Sequence, residues 1–322
     1  GGTAPPDNVD TSTLGNTQPI FSWDVPNGID VGESISFTYD VRVADDVQPH
    51  QVLSHTISAD WTSLPGQGTA LNSSGNIGAA GSLTGMRNGT LPNSGDSVND
   101  YETSADSQLG ISPVAMTKTD MAPATVPTIG AHRLFRIDIH LPEGVTTGVS
   151  VTDSLNAAGL SYVLADNTDF AISYSFEGIV EINGQSPSGN AFNAIPADGT
   201  SGKAIWDIGT VVTETEDDLS NSAIHPLIRI DYYARVNNDL DTDAGDALQN
   251  GVEVTYINGE TGGFETLTAS TATVIVSEPD LTLTKTLANV TPGKGPADPP
   301  FAGDILEYRL TAINTGSSDS TA

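Results

Sequence analysis

The stretch HRLFRIDIHL, His132 to Leu141, sets apolar side chains at every second position, Phe135, Ile137, Ile139 and Leu141, with Arg136, Asp138 and His140 between them. Successive side chains of an extended chain point to opposite faces, so this pattern predicts a strand with one face in a core. The same period recurs in ESISFTYDVRV (Glu33–Val43), LIRIDYYARV (Leu227–Val236), NGVEVTYIN (Asn250–Asn258) and TASTATVIV (Thr268–Val276). Gly, Pro, Asp or Asn bound each run, and helical periodicity is nearly absent. Short strands at such spacing predict an all-β chain of antiparallel, immunoglobulin-like β-sandwiches.

Charge and composition narrow the function classes. The 322 residues carry 41 acidic and 11 basic side chains, a formal charge of −30. Such a surface repels nucleic acid and anionic lipid, both of which need basic patches, and it attracts cations, calcium among them. A salty extracellular setting suits this charge. With no cysteine, disulfides and cysteine-ligated zinc are excluded, so a secreted chain of this kind needs another source of stability. No apolar run approaches the ~18 residues of a membrane helix. The opening GGTAPPDNVD lacks methionine and a signal peptide, which reads as a piece of something longer.

Internal repetition sets the expected organisation. FSWDVPNGIDVGESISFTYDVRV (Phe21–Val43) resembles the region from AIWDIGTVV to PLIRIDYYARV (Ala204–Val236). HTISADWTS from His55 matches NGVEVTYIN from Asn250, and YETSADSQLGI matches FETLTASTATVIV. PVAMTKTDM (Pro113–Met121) returns as PDLTLTKTL (Pro279–Leu287), and GAHRLFRIDIHLPEG returns as GDILEYRLTAINTG. Residues 1–111 therefore read as the later strands of one sandwich, 112–278 as a complete one, and 279–322 as the opening strands of a third, in an elongated array. Half a sandwich leaves open edges, so its missing strands are expected from further sequence or from a neighbouring copy. Residues 64–98 form a Gly/Ser/Asn-rich insert, read as a surface loop, with a ligand-contacting loop as the alternative.

The recurring lysine, Lys118 and again Lys285, stands on a strand that is otherwise apolar and threonine-rich. Lysine is rarely buried unless paired or neutralised. Asp153 lies near the end of GVSVTDSL and Asn250 opens a late strand. If the strands bring Lys118, Asp153 and Asn250 together in an apolar interior, burial favours the neutral amine and the protonated acid. A neutral amine beside a carboxamide polarised by an acid can form a Lys–Asn amide with loss of ammonia, Asp153 acting as general acid and base. Two simpler readings stand beside it: a Lys–Asp salt bridge capped by Asn250, and an exposed edge lysine that discourages aggregation.

The run VAMTKTD, GVSVTDSLNAAGLSYV, AIWDIG, IRIDYYARVNND and LQNGVEVTY resembles the tandem repeats of bacterial surface proteins, the domain-of-unknown-function-eleven type and related isopeptide-forming fimbrial and adhesin domains. The resemblance covers 112–278 fully and the flanks by halves. It implies Lys118 and Asn250 as the bonded pair and Asp153 as the catalytic acid. Asp-Ser-Leu-Asn replaces the family's Asp-Thr-Leu-Pro, which keeps the acid and alters the turn. His55 stands in the place of Asn250 in the first half repeat, and imidazole cannot be the acyl partner there. Lys285 matches Lys118 without partners in this sequence.

NNDLDTDAGDAL sets Asp239, Asp241, Asp243 and Asp246 around Gly245. Carboxylates at alternate positions can wrap calcium, although Ala244 and the lack of a following Glu exclude the EF-hand spacing. A solvated acidic turn is the other reading. TETEDDLSN (Thr213–Asn221) reads as a solvated loop, and Trp23, Trp61 and Trp206 as core anchors. The histidines, His50, His55, His132, His140 and His225, share no motif with a serine or a metal-ligand partner. There is no phosphate loop and no hydrolase signature, so no enzyme is expected beyond a single-turnover cross-link, and no cofactor is required. The expected function is that of a structural segment of a large extracellular adhesin or filament at a bacterial surface, with neighbouring repeats or subunits as partners. The alternatives are a calcium-dependent module for a glycan or protein and a self-assembling filament subunit with shared strands.

Overall fold

In the computed structural model the strand His132–His140 buries Arg133, Phe135, Ile137 and Ile139 and turns the residues between them outward. The structure describes residues 8–10, 20–22, 25, 29–61, 101–122, 126–155, 159–163, 170–214, 226–270 and 273–318. The insert 64–98, Trp23, His225 and most of the acidic run after Thr213 lie outside these residues, as does the side chain of Trp61.

Two compact units emerge, Gly1–Ala44 and Asp45–Ala322. In the first, β1 (Asn8–Asp10) pairs antiparallel with β2 (Ile20–Ser22). The strand expected over Glu33–Val43 does not form. Its alternation marks a chain fit for pleating, but a strand needs a neighbour for its N–H and C=O groups, and no described strand pairs with it. Ile35 and Val41 are correspondingly exposed.

In the second unit the strands are β3 (Val52–Trp61), β4 (Tyr101–Gly110), β5 (Ala115–Asp120), β6 (His132–His140), β7 (Val145–Leu155), β8 (Leu160–Val163), β9 (Ser173–Glu177), β10 (Ile179–Ile182) and β11 (Lys203–Thr213). They continue as β12 (Leu227–Val236), β13 (Ala247–Leu248), β14 (Asn250–Ile257), β15 (Phe264–Ser270), β16 (Val274–Ile275), β17 (Leu281–Asn289) and β18 (Leu306–Asn314). The run read as one strand through Thr268–Val276 is divided, β15 pairing with β14 and β16 with β13.

Two antiparallel five-stranded sheets face each other. One runs β10-β11-β7-β14-β15; in the other β5-β6-β12 continues to β8, and β9 also pairs with β12. The longer strands contribute largely alternate residues to the interior. Phe135, Ile137 and Ile139 come from β6, Val149 and Val151 from β7, Trp206 and Ile208 from β11, Ile230 and Tyr232 from β12, and Val254 from β14, all fully buried. The Trp206 ring lies 5.5 Å from Tyr162 and 5.3 Å from Tyr232, and Tyr232 lies 5.7 Å from Phe135. The outward face of β6–β12 carries two directly opposed ion pairs, Arg136 with Asp231 and Arg229 with Asp138. Each is bidentate, with N–O distances of 2.7 and 2.8 Å in the first and 2.7 and 3.1 Å in the second.

β3–β4 and β17–β18 are separate two-stranded sheets. On β17–β18 the register opposes Leu283 to Ala312, Lys285 to Leu310 and Leu287 to Tyr308. On β5–β6 it opposes Met116 to Ile139, Lys118 to Ile137 and Asp120 to Phe135. The two hairpins thus present the same kind of face, which β5–β6 buries and β17–β18 leaves exposed at Leu283, Leu287, Tyr308 and Leu310.

The segment before β3 lies along the sandwich. Val145 N–H donates to Val47 O at 2.8 Å and Gly259 N–H to Pro49 O at 2.8 Å. Gly144 makes this approach possible: its φ is +122°, and a Cβ there would stand 2.2 Å from Val47 O. Gly144→Ala should therefore lose about 1–3 kcal/mol through backbone strain, read as a lower urea midpoint, and expose the chain near Val47 to limited proteolysis.

Candidate functional site

Lys118, Asp153 and Asn250, separated by up to 132 residues in sequence, meet inside the sandwich. β7 and β14 are neighbours, with Val252 opposite Asp153 and Asn250 opposite Leu155. Asp153 and Asn250 are therefore diagonal neighbours on the inward face of one sheet. Lys118 enters from β5, in the facing sheet, at the one fully inward position of that strand. The side chains of Lys118 and Asp153 have no exposed surface, and Asn250 is fully buried.

The Lys118 Nζ donates to Asp153 Oδ2, to Asn250 Oδ1 and, at 3.0 Å, to the carbonyl of Gly251. Phe135 and Tyr232 wall the amine, with ring centroids 5.4 and 5.7 Å from Nζ. Three acceptors match the three protons of an ammonium. The carboxyl group is less well served: Oδ2 accepts from Lys118 and from the Tyr232 hydroxyl, whereas Oδ1 has no partner. A buried carboxylate with one bare oxygen favours its protonated form.

Burial accordingly pulls the Lys118 amine down from 10.5 to about 8, against the opposing charge and hydrogen bond of Asp153. Burial pushes the Asp153 carboxyl up, with the Lys118 charge and the hydrogen bonds from Lys118 and Tyr232 pulling the other way. Both shifts move the pair toward neutral amine and neutral acid. The neutral amine carries a lone pair, and its contact with Asn250 Oδ1 sets it beside the carboxamide. Chemically, the arrangement provides a nucleophile, an acyl group and an acid within one dry cluster.

Tyr232 completes the cluster and was not singled out by sequence. Its hydroxyl donates to Asp153 Oδ2 and accepts from Asn250 Nδ2 at 2.9 Å. Burial, then the Asp153 charge, holds the phenol well above its ordinary value, so it stays protonated. The available signal was the inward register of LIRIDYYARV, because a buried tyrosine hydroxyl usually finds a polar partner.

The acidic turn is arranged differently. Asp239 Oδ1 accepts the Asp241 N–H and Asp246 Oδ2 accepts the Asp243 N–H, each at 2.9 Å. Glu278 Oε2 accepts the Ala244 N–H at 2.8 Å. Among the described residues no three His, Asp or Glu side chains gather as a metal site. Lys285, the counterpart of Lys118, lies 4.5 Å from the ring of Tyr308. His55 sits opposite Ser107 in the β3–β4 hairpin, and His132 and His140 stand on the outward face of β6. No helix of the described chain is long and apolar enough to cross a membrane.

No protein-family model and no curated protein matches the chain. Among solved structures it is similar to the major pilin subunit BcpA of Bacillus cereus, with 14% identity and a TM-score of 0.33 over 64% of this chain and 60% of that one. The T6 backbone pilin of serotype M6 Streptococcus pyogenes aligns at 14% identity and a TM-score of 0.33, over 70% of this chain and 57% of that one. The collagen-binding domain of a Staphylococcus aureus adhesin aligns at 13% identity and a TM-score of 0.29, over 49% of this chain and 96% of that one. The chain spans about three fifths of the length of the two pilin subunits. These likenesses are distant.

Removing one member of this buried hydrogen-bonded pair leaves the other without its partner. In an Asn250→Ala background, where no Lys–Asn amide can form, Asp153→Ala should cost about 3–5 kcal/mol in denaturant unfolding. The Asn250→Ala protein should also show the amine's titration. Lys118 is near 10.5 when unfolded and about 8 when folded, so between those values the folded state binds fewer protons. Its contribution to stability rises with pH across that window and is lost as pH falls to about 8. Lys118→Met should flatten the slope.

Proposed function

We propose that the chain is a structural segment of an extracellular surface stalk or filament whose complete sandwich is stapled by an amide between Lys118 and Asn250. The observation that carries this reading is the buried cluster of Lys118, Asp153 and Asn250, in which desolvation favours the uncharged amine. The Nζ attacks the Asn250 carboxamide carbon, a C–N bond forms, the Cγ–Nδ2 bond breaks and ammonia leaves. Asp153, as the neutral acid, supplies the proton that leaves with Nδ2 and is restored by the proton that Nζ gives up. Proximity supplies much of the rate, because three strands hold the reactants in contact. The reaction runs once per molecule, because it consumes Lys118 and Asn250 themselves, so the segment would not be a turnover enzyme.

The staple would join β5 of one sheet to β14 of the other. Tension that slides the two sheets apart would then meet a covalent bond, in a chain that has no cysteine to form a disulfide. The uncovered face of β17–β18, a second Lys-bearing hairpin, supports tandem arrangement, since an exposed apolar sheet face of this kind calls for a covering sheet. The strongly acidic surface suits an extracellular setting and keeps such segments from adhering to nucleic acid and anionic lipid. Neighbouring repeats or subunits are therefore the partners proposed.

Intact mass of the full chain under denaturing conditions tests the staple. A mass short by one ammonia is expected, with the calculated mass restored in Lys118→Ala, Asn250→Ala and Asp153→Ala. The full calculated mass in the unmutated chain would return Lys118 to the role of a buried salt-bridge partner.

A further inference from the structure

Loss of ammonia requires a proton at the leaving nitrogen, and the cluster contains a route for it. Asp153 Oδ1 makes no hydrogen bond, so the carboxyl acts through Oδ2. Oδ2 meets the Tyr232 hydroxyl, and the same hydroxyl meets Asn250 Nδ2 at 2.9 Å. Two hydrogen bonds therefore connect the acid to the leaving nitrogen through a single phenol oxygen. We infer that Tyr232 is a catalytic residue of the cross-linking reaction, relaying a proton from Asp153 to the departing amide nitrogen. This inference rests on the Lys118–Asn250 amide proposed above.

In the resting cluster Nδ2–H donates to the phenol oxygen and the phenol donates to Oδ2. Attack by the Lys118 amine makes the Asn250 carbon tetrahedral, and Nδ2 gains a lone pair that can accept. The hydrogen bonds then reverse. The Asp153 proton passes to the phenol oxygen, the phenol's own proton passes to Nδ2, and the Cγ–Nδ2 bond breaks to release ammonia. The attacking nitrogen gives one proton to Asp153 Oδ2, with which it is already in contact, and the acid is restored. One C–N bond forms, one breaks, and no oxidant, metal or water is consumed.

The surroundings keep the relay in place. The Tyr232 ring is fully buried and held by Phe135, Tyr162 and Trp206, with centroids 5.7, 5.9 and 5.3 Å away. The cross-strand Phe135 sits directly opposite it in the β6–β12 ladder. This packing fixes the ring independently of the hydroxyl, so a phenylalanine can occupy the same space. The hydroxyl is then left with a chemical task, since its two partners are the acid and the leaving group.

The test follows ammonia loss over time by intact mass during cell-free synthesis of the full chain. Tyr232→Phe is expected to slow the reaction by at least about 10-fold, below the ~100-fold at which a general acid's usual contribution begins, while circular dichroism shows the same folded sheet. Wild-type rate in a folded Tyr232→Phe chain overturns the relay. If Tyr232→Phe fails to fold, 3-fluorotyrosine placed at position 232 decides: its more acidic phenol should change the rate and displace the pH profile, and an unchanged rate and profile overturn the proposal. A wild-type chain that never loses ammonia removes the amide itself and the relay with it. That failure appears in the unmutated protein and is thereby distinct from a failure of Tyr232 alone.

Discussion

The interior of the complete sandwich has to accommodate an amine and a carboxyl group in a space otherwise filled by Trp206, Tyr162, Phe135 and the branched residues of β6, β7, β12 and β14. Charges in such surroundings are costly, and they survive only when every proton and lone pair is matched. Lys118 reaches that condition with three acceptors, whereas Asp153 does not, because Oδ1 stands bare. The mismatch drives both groups toward their neutral forms. Desolvation, which would weaken an ordinary buried ion pair, thus enlarges the share of uncharged amine, the form that the proposed cross-link would use.

Contrast with the outer face of the same sheet makes the distinction clear. Arg136–Asp231 and Arg229–Asp138 are bidentate, directly opposed across β6 and β12, and in part open to solvent. Water and geometry satisfy those charges, and they do the ordinary work of cross-strand pairing, worth at most about 1 kcal/mol each. The Lys118 pair links the two sheets rather than two adjacent strands. A bond formed there acts on the weakest direction of a β-sandwich, in which the sheets are joined by apolar contact and by their connecting loops. Placing it between β5 and β14 couples an early strand to a late one, so most of the sandwich lies inside the closed loop of chain.

Repetition and tertiary structure illuminate each other at β17–β18. The register that opposes Lys118 to Ile137 returns as Lys285 opposite Leu310, and the aromatic residue two positions along returns as Tyr308 in the place of Phe135. What differs is cover. A lysine beside an aromatic ring on an open hairpin keeps its solvation, and the same lysine beneath a second sheet loses it. Under the proposed cross-link, the repeated motif would be reactive only where the sandwich closes over it.

Period-two alternation by itself determined the all-β class and the inward faces of β6, β12 and β14, and left open whether Lys118 faces the interior or an exposed edge. The resemblance to isopeptide-forming repeats singled out Lys118, Asp153 and Asn250, whose amine, acid and carboxamide are what amide exchange requires. Alternation failed at Glu33–Val43, where the pattern is present but no described strand supplies the ladder. Only the tertiary structure decided that β7 and β14 are adjacent, which sets Asp153 beside Asn250 although they lie far apart in sequence order. It also decided that Tyr232, one of two consecutive tyrosines, turns its hydroxyl between the Asp153 carboxyl and the Asn250 amide nitrogen. The physical reason is that periodicity is a property of one strand and fixes the face a side chain takes, whereas a reactive contact depends on which strands are neighbours and in what register. That information resides in long-range hydrogen bonding and core packing, which no local stretch of sequence contains.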